Sequence, residues 1–322
     1  MTSLRYLRFL GIGALCGLVY TALAALAIGS DAMMQCDPHG VDATHYMAYC
    51  NVKSFTEYDL GAHYFGLEPE AIKSMQGADI LFLGNSRAGH TFSSAATRDF
   101  METLSAKYYV LAFGYESSST SALSLIDKYH LHPKIMIINA DPFFSSGDQD
   151  EREKLSGHRP DIYLGYLLKR AFQHIQPSLC RSSAIFCGHA LTVYRSVVTG
   201  AWDIRQYAAT HSGSRNPKIV VEDEGNRWAE LPDTLNAARD FVERLSLDPA
   251  CIIVTSIPSP HSTQGLAKAA ATAVRAPYVA PTMADLHTFD DSHLTLDDDE
   301  RWSAEMLREA SGQIRRCLPN DQ

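Results

Sequence analysis

Hydrophobic and polar residues alternate in blocks along this chain. Short β-branched or apolar runs, Asp79–Leu83, Tyr108–Phe113, Ile135–Asn139, Cys251–Ile257 and the weaker Tyr278–Ala280, are separated by stretches with helical periodicity. Strands apolar on both faces and joined by helices are the mark of a parallel sheet covered on both sides. The runs therefore predict an α/β fold with a mostly parallel, five-stranded sheet in flavodoxin-like order. Helices are expected over roughly Ser94–Ser105, Ser119–Tyr129, Leu235–Leu245, Gly265–Val274 and Asp298–Arg316, the last two rich in helix-favouring Ala, Glu and Arg. Between Pro142 and Asp233 no strand stands out. That stretch, with Tyr163, Tyr166, His174, Trp202 and Tyr207, reads as a helical insertion forming a lid or partner surface.

The N-terminal block differs in kind. Arg5 and Arg8 precede the uncharged run Phe9–Ile28, which at 1.5 Å per residue is about long enough to cross a ~30 Å hydrocarbon layer. This predicts an N-terminal membrane anchor over residues 1–30, its basic flank in the cytoplasm and everything after Asp31 exported. Ala25-Leu26-Ala27 keeps a cleaved signal peptide open as the alternative. Residues 31–75 then read as a linker or pre-domain segment, and 76–322 as the main domain with its insertion at about 143–233.

Cysteine usage agrees with export. Apart from Cys16 in the apolar run, six cysteines remain, an even number that suggests disulfides, although six allow 15 connectivities. Nearest-neighbour pairing gives Cys36–Cys50, Cys180–Cys187 and Cys251–Cys317. With no CxxC and no clustered Cys/His spacing, no metal or other cofactor is expected. The net charge of −9, with no basic block beyond the first residues, argues against a nucleic-acid partner and leaves small molecules, glycans or proteins.

In open parallel sheets, ligands bind beyond the carboxyl ends of the strands. After the first strand stands Gly84-Asn85-Ser86-Arg87-Ala88, a tight turn that presents a serine at a helix N-terminus, where backbone N–H groups can meet a developing oxyanion. A helix-capping serine is the plainer reading. Near the C-terminus stands Phe289-Asp290-Asp291-Ser292-His293-Leu294, a carboxylate three residues before a histidine. That spacing lets the carboxylate hold imidazole Nδ1 while Nε2 points at a serine hydroxyl, the arrangement that activates a weak nucleophile.

Together the two motifs, G-[DNST]-S after the first strand and D-x-S-H-L before the final helix, resemble the first and last blocks of the SGNH/GDSL hydrolase superfamily over about residues 76–316. Within it the chain is most similar to membrane-anchored SGNH-like proteins of bacterial envelope modification, such as those of teichoic acid D-alanylation and alginate acetylation. The resemblance implies a three-layer α/β/α sandwich, with Ser86 as nucleophile, His293 as base and Asp290 as orienting acid, Asp291 being the fallback for that last role. It further implies an oxyanion hole from the N–H groups of Ser86 and Gly114. The family's third block, Gly-x-Asn-Asp, stands here as Asn139-Ala140-Asp141-Pro142, so that Asp141 falls where the asparagine belongs. Either Asn139 supplies the amide from a shifted position or the hole has only the two backbone donors. A carboxylate does not donate unless protonated.

These readings lead to a membrane-anchored esterase or O-acyltransferase working through an acyl-enzyme on an acylated cell-envelope glycan or similar ester. It would sit in the bacterial inner membrane with its domain periplasmic or extracellular, and could have an integral-membrane acyltransferase as partner. The alternative is a catalytically impaired glycan-binding or scaffolding component of such a complex. A third reading, an exported disulfide-stabilised protein without an active site, predicts that Ser86 and His293 lie far apart. Arg87 is a candidate ligand for an anionic substrate or half of a structural salt bridge. His90 is expected to point away from Ser86, the pair His130 and His132 to cap a helix end or sit in solvent, and Asp297–Glu300 to complement a helix dipole without a metal.

Overall fold

The computed structural model describes residues 34–52, 55–114, 118–141, 143–144, 160–211, 219, 232–260 and 262–318, together with Gly13 and Gly17. The rest of the apolar run Phe9–Ile28 lies outside the described residues. Among those described, no helix is long and apolar enough to cross a membrane.

The first strands build an antiparallel sheet. β1 (His45–Cys50) pairs with β2 (Thr56–Glu57) on one edge and with β6 (Thr192–Ser196) on the other, and β7 (Trp202–Asp203) closes the order β2-β1-β6-β7. The second sheet is parallel throughout: β3 (Ile80–Gly84), β4 (Tyr108–Ala112), β5 (Ile135–Asn139) and β8 (Ile252–Thr255) stand in the order β4-β3-β5-β8. Helices fill the connections. They are α1 (Asp59–Tyr64), α2 (Pro69–Gln76), α3 (Ser86–Thr91), α4 (Ala95–Thr103), α5 (Ser119–Tyr129), α6 (Pro160–Ser182), α7 (Arg205–His211), α8 (Pro232–Arg244), α9 (Gln264–Val274) and α10 (Leu296–Cys317).

Every residue of β3 and β5 is buried, as their unbroken apolar sequences require. Period-two alternation sends Leu81, Leu83, Met136 and Ile138 into one core with residues of α1, α2, α5, α8 and α9. Ile80, Phe82, Ile135 and Ile137 enter the other, with Trp302, Met306, Leu307 and Ile314 of α10. Helices thus lie on both faces of the parallel sheet.

Among the described residues the sheet has four strands, not the expected five. Tyr278 makes a single parallel bridge to Val254, because Pro277 and Pro281 on either side lack the N–H a ladder needs. The stretch between Pro142 and Asp233 likewise contains β6 and β7 beside its helices. Thr192-Val193-Tyr194-Arg195-Ser196 has one strand-like alternation but carries a buried arginine, which hid its burial from a hydrophobicity reading.

Arg195 is what joins the two sheets. Fully buried, it pairs with Asp59 of α1 and donates to the carbonyls of Val110 and Ala112 on β4, the latter at 3.2 Å. Beside it, Val110 N–H donates to Thr199 O at 2.8 Å, and Gly200, at φ +67°, comes so close to the Val110 carbonyl that a Cβ would stand 2.5 Å from it. Three disulfides complete the frame: Cys36–Cys50, Cys180–Cys187 and Cys251–Cys317. The last closes a separation of 66 residues and ties the end of α10 to the start of β8, a cross-link worth about 4 kcal/mol by loop entropy.

Candidate active site

The site is assembled at the carboxyl end of β3. Gly84 there lets the backbone pass within 3.0 Å of Asn139 and 2.8 Å of Ala88, measured from a Cβ it does not have, so the chain can turn at once into α3. Asn85 caps that helix, its Oδ1 accepting Arg87 N–H at 3.1 Å and its Nδ2 donating to Asp141 O at 2.6 Å. Ser86 is left as the first helical residue.

The histidine arrives from the other end of the chain on a tight hairpin. Thr288 and Leu294 bridge, Phe289 N–H donates to His293 O, and Asp291 makes the turn at φ +63°, a conformation aspartate tolerates better than most side chains. Asp290 Oδ1 accepts the N–H groups of Ser292 (3.1 Å) and His293 (2.8 Å), and its Oδ2 lies 2.7 Å from His293 Nδ1. His293 Nε2 lies 2.8 Å from Ser86 Oγ. The structure thus brings Ser86, His293 and Asp290 into one hydrogen-bonded line. Asp291 is exposed and turned out of it.

Burial opposes ionisation of Asp290, but the His293 hydrogen bond and charge and the two N–H groups outweigh it and hold the carboxyl well below the usual carboxylate range. A carboxylate so held fixes the tautomer with the proton on Nδ1 and makes Nε2 the acceptor for the serine hydroxyl. The two chain ends are clamped by α10. Thr91 of α3 donates to Asp299, Glu300 accepts Ala95 N–H at 2.6 Å and Ala96 N–H at 2.7 Å at the start of α4, and His287 N–H donates to Asp298 at 2.8 Å. The acidic start of α10 therefore positions the histidine hairpin against the serine helix.

His90 does not point away from Ser86. It is buried, and its ring stacks on that of His293 with centroids 4.1 Å apart and planes at 20°, while Trp202 meets it edge-on at 5.7 Å. Four residues from Ser86 on a helix is the same face, which is the signal a stricter use of helical spacing would have found. Burial, and then the charge of His293, lower His90 well below the ordinary histidine range, so a neutral ring supports the paired one.

The expected oxyanion donors are arranged differently. Gly114 lies beside the site by strand register, since Gly84 pairs with Ala112, but its N–H donates to Glu57 Oε1 at 3.0 Å. Asn139 is fully buried; its Nδ2 donates to Asn85 Oδ1 at 3.2 Å and its Oδ1 accepts Ile257 N–H at 3.0 Å. It braces the turn from behind instead of facing a substrate. Arg87 is also engaged: Nη1 bonds Asp141 Oδ2 at 2.6 Å, and Nε approaches Ser292 Oγ at 3.4 Å. A salt bridge to Asp141 is therefore present at Arg87. No motif pointed to Glu57, which comes from β2, far from the site in sequence. His130 ends α5 as its left-handed C-cap.

No known protein-family profile, curated protein or solved structure matches the chain.

Proposed function

We propose that this chain is an exported, membrane-anchored serine esterase or O-acyltransferase of SGNH type, acting on an acylated envelope glycan or similar ester. The observation that carries the reading is the Ser86–His293–Asp290 line, with 2.8 Å and 2.7 Å contacts between groups 207 and 3 residues apart in the chain. The strand order β4-β3-β5-β8, with helices on both faces, fits a flavodoxin-like sandwich of that superfamily, and the three disulfides fit export.

In the first step Ser86 Oγ attacks the ester carbonyl carbon as its proton passes to His293 Nε2. The tetrahedral intermediate collapses with cleavage of the C–O bond, and that proton moves to the departing oxygen, leaving an acyl-serine. Water or a sugar hydroxyl then attacks, gives its proton to Nε2, and Ser86 departs taking the proton back. Asp290 stays ionised and offsets the imidazolium charge. Ser86 N–H is the oxyanion donor free of the Glu57 contact.

Glu57 favours the second reading, a catalytically quiet binding component, because a carboxylate on Gly114 N–H repels an oxyanion. Losing one such donor typically costs ~10²–10³ in rate. The test is labelling of the full chain by a fluorophosphonate, comparing wild type with Ser86→Ala and Glu57→Gln. Labelling that vanishes in Ser86→Ala and quickens about tenfold in Glu57→Gln supports the esterase. A folded protein unlabelled in wild type and in Glu57→Gln alike sinks it in favour of the binding component.

A further inference from the structure

Helix α6 is inside out. Its inward residues include Gln173 and Gln176, both at most 2 % exposed: Gln173 Oε1 accepts Met47 N–H at 2.8 Å, and Gln176 Nε2 donates to Cys36 O at 2.7 Å. Its outward residues include Leu164, Leu167, Leu168 and Ile175, between 37 % and 55 % exposed, with Tyr163 beside them and the exposed Asp161, His174 and Ser178 among or around them. At about 100° per residue the four aliphatic side chains fall within a single arc, opposite the two glutamines. Ile185, 80 % exposed, continues the apolar surface just past the helix end. A helix facing water carries amides outward and leucines inward, and a continuous apolar face rimmed by polar residues marks an interaction surface.

The place where the chain enters the described fold says what covers it. Gln176 Nε2 also reaches the carbonyl of Met34, at 3.4 Å, so the outer segment of the chain joins the domain against α6 itself. From Ile28, where the apolar run ends, to Met34 is six residue steps, at most ~22 Å of extended chain. Helix α6, 23 residues long, spans ~35 Å. Its outer face is therefore held within reach of whatever surface the run enters. The run itself is a poor cover, being apolar all round: lying along α6 it would hide one of its faces and leave the others in water.

We propose that the outer face of α6 lies on the lipid bilayer entered by the N-terminal run, with Leu164, Leu167, Leu168 and Ile175 immersed at the headgroup–acyl boundary. The proposal rests on the membrane-anchored reading above. An amphipathic helix lying in the interface plane is the known solution for such a face. The same helix reaches the candidate site: Lys169 Nζ donates to Phe55 O at 2.5 Å and to Glu57 O at 3.4 Å, and Glu57 holds Gly114. One rigid element thus connects the membrane contact to the serine's surroundings.

The test uses the full chain reconstituted into phosphatidylethanolamine/phosphatidylglycerol vesicles, with or without dibrominated lipid, carrying Leu168→Trp or Ile175→Trp. Glu309→Trp, on an exposed position of α10, is the comparison, and wild-type emission is subtracted. The expected result is about twofold quenching by brominated lipid at both α6 positions and almost none at the comparison position. Adding Leu164→Glu to the Ile175→Trp chain should halve that quenching. Vesicle flotation separates the two ideas. A chain that floats without quenching on α6 overturns the docking alone, and quenching replaced by cross-links between copies assigns the face to a second chain and also overturns it. A chain that does not float overturns the anchor and the docking together.

Discussion

Of the five aspartate–histidine pairs among the described residues, two have a buried histidine, and only one of those two faces a serine. In the first, Asp59 and His63 lie on α1. His63 Nδ1 bonds the Asp59 carbonyl at 2.9 Å and Nε2 meets the Tyr109 hydroxyl at 2.9 Å, while the Asp59 carboxylate is taken by Arg195 and by Tyr46, the latter at 2.6 Å. In the second, the carboxylate of Asp290 holds His293 directly, and Ser86 completes the line at the end of a strand. The first pair is sealed, with His63 at 0 % exposure, and the second is at the surface of the fold, with 11 % of the His293 side chain exposed. Residue type and spacing are thus nearly the same in both. What separates a structural knot from a candidate catalytic line is the third partner and its access. A tyrosine hydroxyl in the core braces a sheet, whereas a serine hydroxyl at a strand-to-helix turn can meet a carbonyl.

The comparison can be broken most severely at Asp290. Asp290→Asn keeps the shape but loses the tautomer control, and should lower ester turnover by about 10³–10⁴-fold at unchanged thermal stability. The same measurement on Asp291→Asn should show less than about a twofold loss, and equal losses in the two variants would reject the assignment of the acid. The sealed pair should behave in the opposite way. Arg195→Ala leaves the Asp59 charge buried and should destabilise the fold by about 3–5 kcal/mol in denaturant unfolding, because a buried charge stripped of its partner keeps its desolvation cost. An effect below about 1 kcal/mol would mean that the two sheets are held together by something else.

A smaller effect follows from pH. Burial, and then the Arg195 charge, pull His63 down from 6.5 to about 4. Between those values the unfolded chain binds the proton and the folded one does not. The stabilisation is therefore complete above pH 6.5 and is lost progressively as the pH falls from there to 4, about 3 kcal/mol from this residue. Unfolding curves from pH 7 to pH 4 should show this slope, and His63→Gln should flatten it. An unchanged slope would place the acid sensitivity elsewhere.

Much of the parallel sheet was legible because its signals are local. Ile135–Asn139 and Ser119–Tyr129 read directly as a buried strand and a capped helix, and both stand where the pattern puts them. Tyr278–Ala280 resembles a fifth strand because it is an apolar run, and the prolines on either side, which lack the N–H groups of a ladder, leave it a single bridge. The antiparallel sheet escaped notice for a different reason. Its strands come from distant parts of the chain, and its inward positions include Arg195 and Gln-bonded backbone, which a hydrophobicity pattern scores as surface. At the candidate site, Ser86, Asp290 and His293 were visible as two short motifs. Glu57 was not, since nothing local marks a carboxylate that meets a glycine N–H across 57 residues, and His90 is marked only by its helical spacing from Ser86.

By itself the sequence determined the α/β alternation, the strand-end serine and the Asp-x-x-His spacing, because each is set by period, spacing or turn chemistry within a few residues, whereas the cysteine pairing was one choice among 15. Only the tertiary structure decided that Ser86 meets His293, that Asp290 and not Asp291 holds it, that Gly114 is engaged by Glu57, and that α6 turns its leucines outward. Those facts depend on the relative placement of elements up to 207 residues apart, fixed by the packing of α10 against α3 and α4 and by one buried arginine between the sheets.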